Sequence, residues 1–185
     1  MALRIIAGEA KGCRLHIPQG TQVRPSTSRV REAVFNSLHS LDLLHDAHVL
    51  DLYAGSGALG LEALSRGAAS ATFVESAPSA LDALRANVAV TGLAQRSHVV
   101  PGDVMVKLQR LTGPAASGFD AGAGQFDVAL CDPPYSFTMW TDLLAQLSSR
   151  VVVVESVSEV QPGPAWEVVK SQRYAGTVVV IAKQR

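Results

Sequence analysis

Asp51-Leu-Tyr-Ala-Gly55-Ser-Gly57-Ala-Leu-Gly60 is the stretch that decides the fold. An apolar run from His48 to Tyr53 leads into three glycines spaced G-x-G-x-x-G, and apolar residues at helical spacing follow from Ala58 to Arg66. A strand that turns through glycines into a helix opens a βαβ unit, because the tight turn and the close approach of backbone to ligand leave no room for a Cβ. Glu75 stands twenty residues past Gly55, at the end of the next apolar run Ala71–Glu75, where a carboxylate can accept from a ribose diol.

Downstream the alternation continues. The pattern predicts a helix over 79–90, strands over 98–101 and 126–131, a helix over 141–147 and a fully buried strand over 151–155. This is the signature of an α/β fold, a mostly parallel sheet covered on both faces. Trp166–Val169 and Thr177–Ala182 have no helix between them and predict a terminal antiparallel hairpin.

Upstream, Leu3–Ala7 and Cys13–Ile17 flank Gly8-Glu-Ala-Lys-Gly12 and predict a β-hairpin or two loosely coupled strands. A helix is expected from Arg29 to Leu43, with Ser26, Thr27 or Ser28 as its cap. We divide the chain into a hairpin extension, 1–22, and a main domain, 23–185. Residues 113–125, rich in Gly, Ala and Ser, read as a surface loop without assigned chemistry.

A chain of 185 residues, 48% hydrophobic and 17% charged, can bury a core without staples and is not disordered. Cys13 and Cys131 lie far apart with no CxxC spacing, and the five histidines show no metal pattern. Neither a disulfide scaffold nor a metal is expected. With no leader or membrane-length apolar run, a cytoplasmic protein is expected, and without heptads a monomer. The formal net charge is zero, yet residues 1–36 carry +4 and the remainder −4. Arg4, Lys11, Arg14, Arg24, Arg29 and Arg31 therefore mark the expected phosphate-contacting surface.

The glycine turn alone fits a dinucleotide or S-adenosylmethionine. Asp51 favours the second, since a carboxylate beside the turn repels a pyrophosphate and suits an ammonium and a sulfonium. Asp103, after Gly102 at the end of the third strand, can accept the adenine amino proton or cap the following helix.

The second motif is Asp132-Pro-Pro-Tyr135, at the same end of the sheet. Its prolines remove N–H donors, so Asp132 and the Pro133 carbonyl present only acceptors. An exocyclic amine that gives both its hydrogens there aims its lone pair at an electrophile, while Tyr135 stacks on a base flipped from its helix. Cys131 reads as a buried strand residue, not a nucleophile.

Arg4-Ile-Ile-Ala-Gly8, Lys11-Gly12, Arg24-Pro-Ser-Thr27, Arg29-Val-Arg-Glu-Ala-Val-Phe-Asn36, Asp51 through Arg66 and Asp132-Pro-Pro-Tyr135 together resemble the RsmD-type bacterial 16S ribosomal RNA guanine-N2 methyltransferases along nearly the whole chain. The resemblance implies a seven-stranded class I (Rossmann-like) methyltransferase fold with a small N-terminal hairpin. It implies cofactor contacts at Asp51, Gly55, Gly57, Glu75 and Asp103, with Ala54 and Gly102 beside them, base contacts at Asp132, Pro133 and Tyr135, and Thr27 with its neighbouring arginines at the site mouth. The expected reaction is methyl transfer from S-adenosylmethionine to guanine N2 in the small subunit's 16S RNA. Three rivals stand beside it: adenine-N6 or protein-glutamine methylation on the same fold, a nicotinamide-dependent oxidoreductase, and a catalytically silent RNA-binding assembly factor.

Overall fold

The computed structural model describes residues 2–18, 25–112 and 126–185, without the side chains of 25–27 and 112. Arg24, the Thr27 side chain and the 113–125 loop lie outside the described residues.

Seven strands form one sheet in the order β3-β2-β1-β4-β5-β7-β6: β1 (His48–Leu52), β2 (Ser70–Glu75), β3 (Ser97–Pro101), β4 (Phe126–Cys131), β5 (Ser149–Ser156), β6 (Trp166–Tyr174) and β7 (Thr177–Gln184). Strands β1 to β5 run parallel, and β7 pairs antiparallel with both β5 and β6. The order reverses between β1 and β4. At such a switch point the connections leave in opposite directions and open a crevice at the carboxyl ends of the strands.

Helices α1 (Pro25–Ser40), α2 (Ala58–Ser65) and α3 (Pro78–Thr91) supply Val34, Phe35, Leu61, Leu64 and Leu84 to a core over one face, against Val49, Phe73, Leu130 and Val153. On the other face α4 (Val104–Thr112) and α5 (Trp140–Gln146) bury Leu108, Leu143 and Leu144 against Leu50, Val74, Ala129 and Val152. Alternate residues of each central strand thus serve opposite cores, which is why those strands read as continuous apolar runs.

Helix α1 departs from the expected 29–43. It starts at Pro25, whose missing N–H is harmless in a first turn. It stops at Ser40 because Asp42 turns left-handed (φ 52°), with the Asp42 N–H on the His39 carbonyl and the Leu43 N–H on that of Leu38. That is a Schellman stop built without glycine. The edge hairpin is longer than its apolar runs, since β6 is exposed along most of its length and shows no alternation to extend.

Residues 2–18 make one isolated antiparallel bridge, Arg4 to Arg14, and Leu3, Ile5, Ala10 and Leu15 enter the core beneath α1 and α2. Side chains of two helices fix this segment. Glu62, fully buried on α2, accepts the N–H groups of Ile6 (2.8 Å) and Ala7 (3.0 Å), and also Arg66 Nε (2.7 Å). Ser65 Oγ donates to the Ala7 carbonyl and accepts from the Ala10 N–H. A Cβ on Gly8 (φ +84°) would lie 1.7 Å from the Ser65 carbonyl oxygen, so this turn admits only glycine. Asn87 on α3 accepts the His16 N–H and donates to the carbonyls of His16 and Ser56, joining the segment to the glycine turn.

Removing Glu62 strands two backbone donors and two guanidinium groups in the interior. Glu62→Ala is expected to cost about 3 kcal/mol or more of unfolding free energy, read from urea denaturation monitored by circular dichroism. A loss below about 1 kcal/mol would contradict this role.

Candidate active site

Both motifs open into one crevice. A cavity of about 390 Å³ is lined by Tyr53, Ala54, Gly55 and Glu75 on the glycine-turn side and by Asp132, Glu155 and Arg31 on the other.

The glycine turn is positioned by two carboxylates. Asp51, buried at the end of β1, accepts the Gly60 N–H through Oδ2 at 2.8 Å and so fixes the start of α2 against the strand. Burial raises its pKa well above the ordinary carboxylate range, with the Gly60 hydrogen bond opposing and Asp132 and Glu75 adding to the rise. Glu75 accepts Gly55 N–H on Oε2 (2.8 Å), and Ser76 and Ala77 N–H on Oε1 (2.7 Å each). It therefore ties the turn to the end of β2 while facing the cavity.

Gly57 is left-handed (φ +76°), and a Cβ there would lie 2.3 Å from Leu84 Cδ1. At Gly60 a Cβ would meet Phe73 Cε1 at 2.3 Å and Asp51 Oδ2 at 3.0 Å. Gly60 is thus demanded by α2 lying tight against β1 and β2, Gly57 by its left-handed backbone and Leu84 of α3, and Gly55 by its positive φ (56°). Gly102 donates its N–H to the Glu75 carbonyl (2.7 Å), which sets the β3 end beside the β2 end. Asp103 is exposed and caps α4 through the Val106 N–H (3.1 Å), so its capping role is realised.

In the second motif Pro133 is buried, whereas Asp132 and Tyr135 are exposed at the mouth. The turn closes through the Phe137 N–H on the Pro134 carbonyl (2.8 Å). It brings Phe137 onto Tyr53 (ring centroids 5.4 Å) and edge-on to Trp140 (4.9 Å). This aromatic wall escaped the sequence reading because its members are distant in sequence and share no motif. Tyr53 holds a left-handed backbone (φ 60°) where β1 enters the turn, and burial pushes its phenol up to about 12.

Two further residues belong to the cavity. Glu155, ending the apolar run of β5, was visible in sequence as a charge closing a buried strand at the functional end of the sheet. Burial, then Asp132, push its carboxyl up to about 8, against the pull of Arg31. The second is Arg31. Its expected place on the phosphate-contacting surface is corrected: it is 4% exposed, donates to the Arg4 carbonyl (2.5 Å) and stands 3.6 Å from Glu62. Helical phase explains this, since Arg31 follows the buried Val30 on the core side of α1 and so turns inward, whereas Arg29 stays exposed. Burial lowers its pKa and Glu62 sustains its charge.

Arg4, Lys11, Arg14 and Arg29 are exposed as expected. Arg4 also donates to the Gly12 carbonyl, bracing the N-terminal turn.

The donor set fits S-adenosylmethionine. Around the cavity the acceptors Glu75, Asp132 and Glu155 dominate, Asp51 lies buried behind the glycine turn, and Arg31 is committed to Arg4 and Glu62, so a diol and a cationic sulfonium suit the crevice better than a pyrophosphate. The sheet order and the site at its switch point define the class: a Rossmann-like fold of the kind adopted by S-adenosylmethionine-dependent methyltransferases.

The family described as Conserved hypothetical protein 95 matches residues 3–183, and the chain belongs to it. The chain is 39% identical over 133 residues to "Ribosomal RNA small subunit methyltransferase D" of Escherichia coli, a match covering 72% of this chain and 60% of that protein, so the chain spans about 60% of that relative's length. With YlbH of Bacillus subtilis it is 31% identical over 193 residues, covering 99% of this chain and 100% of that one. The solved structure of yhhF from Escherichia coli superposes with a TM-score of 0.82 at 30% identity, over 100% of this chain and 99% of that one. The RsmD-type resemblance of the motifs is thereby confirmed at the level of the family.

The raised Glu155 pKa carries a stability signature. Between its ordinary value near 4.5 and its folded value of about 8, the folded chain retains a proton that the unfolded chain has released, so this group favours folding at low pH and loses that contribution as pH rises through the window. The charges facing it are Asp132, Asp51 and Arg31. The wild type is expected to lose denaturant midpoint relative to Glu155→Gln between pH 5 and 8; parallel profiles would refute the shift.

Proposed function

We propose that this protein transfers a methyl group from S-adenosylmethionine to the exocyclic N2 of a guanine in 16S ribosomal RNA, free or within the small subunit. One observation carries the reading: Asp132, opening the Asp132-Pro-Pro-Tyr135 turn, and Glu75 with Gly55 of the glycine turn line the same cavity, as transfer between two bound molecules requires. The family membership and the similarity to ribosomal RNA small subunit methyltransferase D of Escherichia coli support the RNA substrate.

When bound, S-adenosylmethionine supplies an electrophilic methyl group on a sulfonium. The chain's own contribution is placement. Glu75 takes the ribose hydroxyls, Asp51, Ala54, Gly55 and Gly57 cradle the methionine end, and Gly102 and Asp103 border the adenine. Asp132 and the Pro133 carbonyl accept the two amine hydrogens, which turns the nitrogen lone pair toward the methyl group, and Tyr135 stacks on the base. Holding the reactants in line within about 3–3.5 Å can supply about 7–11 kcal/mol of the barrier. Asp132 also stabilises the charge that develops on nitrogen and receives its proton, with no covalent intermediate on the protein. Arg4, Lys11, Arg14, Arg24 and Arg29 hold phosphates, with Thr27 near the mouth; Arg31 acts from inside.

Asp132→Ala is expected to lower kcat about 10²-fold or more while leaving S-adenosylmethionine affinity unchanged, measured by label transfer to small subunits from cells lacking this protein and by calorimetry. Undiminished turnover would overturn the assignment, and label in N6-methyladenosine would favour the adenine rival. Charge reversal at Arg29 and Lys11 together is expected to weaken RNA binding at least tenfold and flatten its salt dependence, without changing cofactor affinity.

A further inference from the structure

The base-binding end of the cavity holds a second carboxylate to which the reaction above gives no task. β4 and β5 are parallel and their register ends at Cys131 opposite Val154, so Asp132, the first residue after β4, and Glu155 of β5 come next at adjacent strand ends, and Asp132 is a charge that acts on Glu155. Both line the cavity, and strand alternation puts Glu155 on the face of Val153. Asp132 is exposed at the mouth while Glu155 is set deeper and partly buried. Arg31, held by Arg4 and Glu62, lines the same cavity and is the cation acting on Glu155.

The Watson–Crick edge of guanine carries two adjacent donors, N1–H and the N2 amine, whereas adenine presents a lone pair at N1. A flipped base is read along this edge. If Asp132 and the Pro133 carbonyl take the amine, the next acceptor along the edge must face N1. A carboxylate there welcomes guanine and repels the adenine lone pair, and buried polar groups left without partners make such a site discriminate strongly.

Building on the guanine reading, we propose that Glu155 is the specificity-determining residue of the base site, accepting the N1–H of the guanine whose N2 amine is held at Asp132. Arg31 is its positioning partner. In the free enzyme Arg31 only partly offsets burial and Asp132, so Glu155 keeps its proton to about pH 8; Arg31 together with the bound N1–H selects the ionised carboxylate.

The test replaces the methylated guanosine, once mapped with the wild-type enzyme, by 2-aminopurine riboside in ligated ribosomal RNA. This base keeps the acceptor amine but has a lone pair at N1. Above pH 8, where Glu155 is ionised also in the free enzyme, the wild type is expected to prefer guanine by about 10- to 100-fold in kcat/KM. Glu155→Gln, whose amide can donate to that lone pair, is expected to bring the ratio within about threefold, falling on guanine and rising on 2-aminopurine. Loss of the O6 acceptor affects both enzymes alike, so the change in ratio reports on N1. An unchanged ratio in Glu155→Gln would reduce Glu155 to a structural partner of Arg31 and overturn the proposal. Should Glu155→Gln fail to bind S-adenosylmethionine by calorimetry, the wild-type ratio decides: equal kcat/KM on the two bases overturns the proposal. If the wild type forms no N2-methylguanosine, the guanine reading itself fails and takes this assignment with it; N2-methylguanosine with an unchanged ratio leaves that reading intact.

Discussion

Everything at the carboxyl end of this sheet leans on the buried carboxylate of Glu62. It sits on the helix that begins at the glycine turn, and it binds the backbone of residues 6 and 7 on one side and two guanidinium groups on the other. Burying a carboxylate without such partners would cost several kcal/mol, so these elements assemble together or not at all. The consequence reaches the site. Arg31, held against Glu62, lines the cavity from α1, so the N-terminal segment, α1, α2 and the cavity share one network of ion pairs and hydrogen bonds. A family motif that runs from Asp51 to Arg66 without interruption is physically intelligible on this basis: Asp51 and Gly60 lock strand to helix, while Glu62, Ser65 and Arg66 lock helix to N-terminal segment.

The switch point between β1 and β4 explains why the acids gather. Asp51, Asp132 and Glu155 end neighbouring strands on one face, and Glu75 ends the strand beyond. Asp132 and Glu75 raise the cost of ionising Asp51, and Asp132 and Asp51 that of Glu155, in addition to burial. A crevice so built is hostile to phosphate and receptive to amines, sulfonium groups and hydroxyls, which is what an amine methylation site needs and a dinucleotide site does not.

Sheet, order of elements and both motifs were legible because they depend on local pattern: continuous apolar runs, glycine spacing and a proline-fixed turn. Strand ends fell within a residue or two wherever an apolar run ended in a polar residue, and failed at β6, whose pairing with β7 is fixed by backbone bonds that leave no trace in side-chain alternation. The site's deeper half was not legible. Arg31 looked like its neighbour Arg29, because sequence records charge while helical phase decides which of two nearby arginines is buried. Glu155 stood in plain view after four valines, yet its meaning required knowing that β5 lies next to β4, a fact of topology.

The two halves of the crevice differ in how firmly they are built. On the cofactor side Asp51, Glu75 and the glycines are fixed by backbone hydrogen bonds and tight packing, so the pocket is pre-organised and little ordering remains for binding to impose. On the substrate side Asp132, Tyr135 and Met139 are exposed at the mouth, braced by the Tyr53–Phe137–Trp140 wall beneath them. On the proposed reading, a base held within a folded RNA is extracted before it reaches this mouth, at a cost of a few kcal/mol that stacking can offset only if the aromatic surface stays accessible. Under the proposed transfer, a rigid cofactor side and an open base side are two requirements of one reaction, and Glu155 lies where they meet: ordered by the sheet, and lining the same cavity as Asp132.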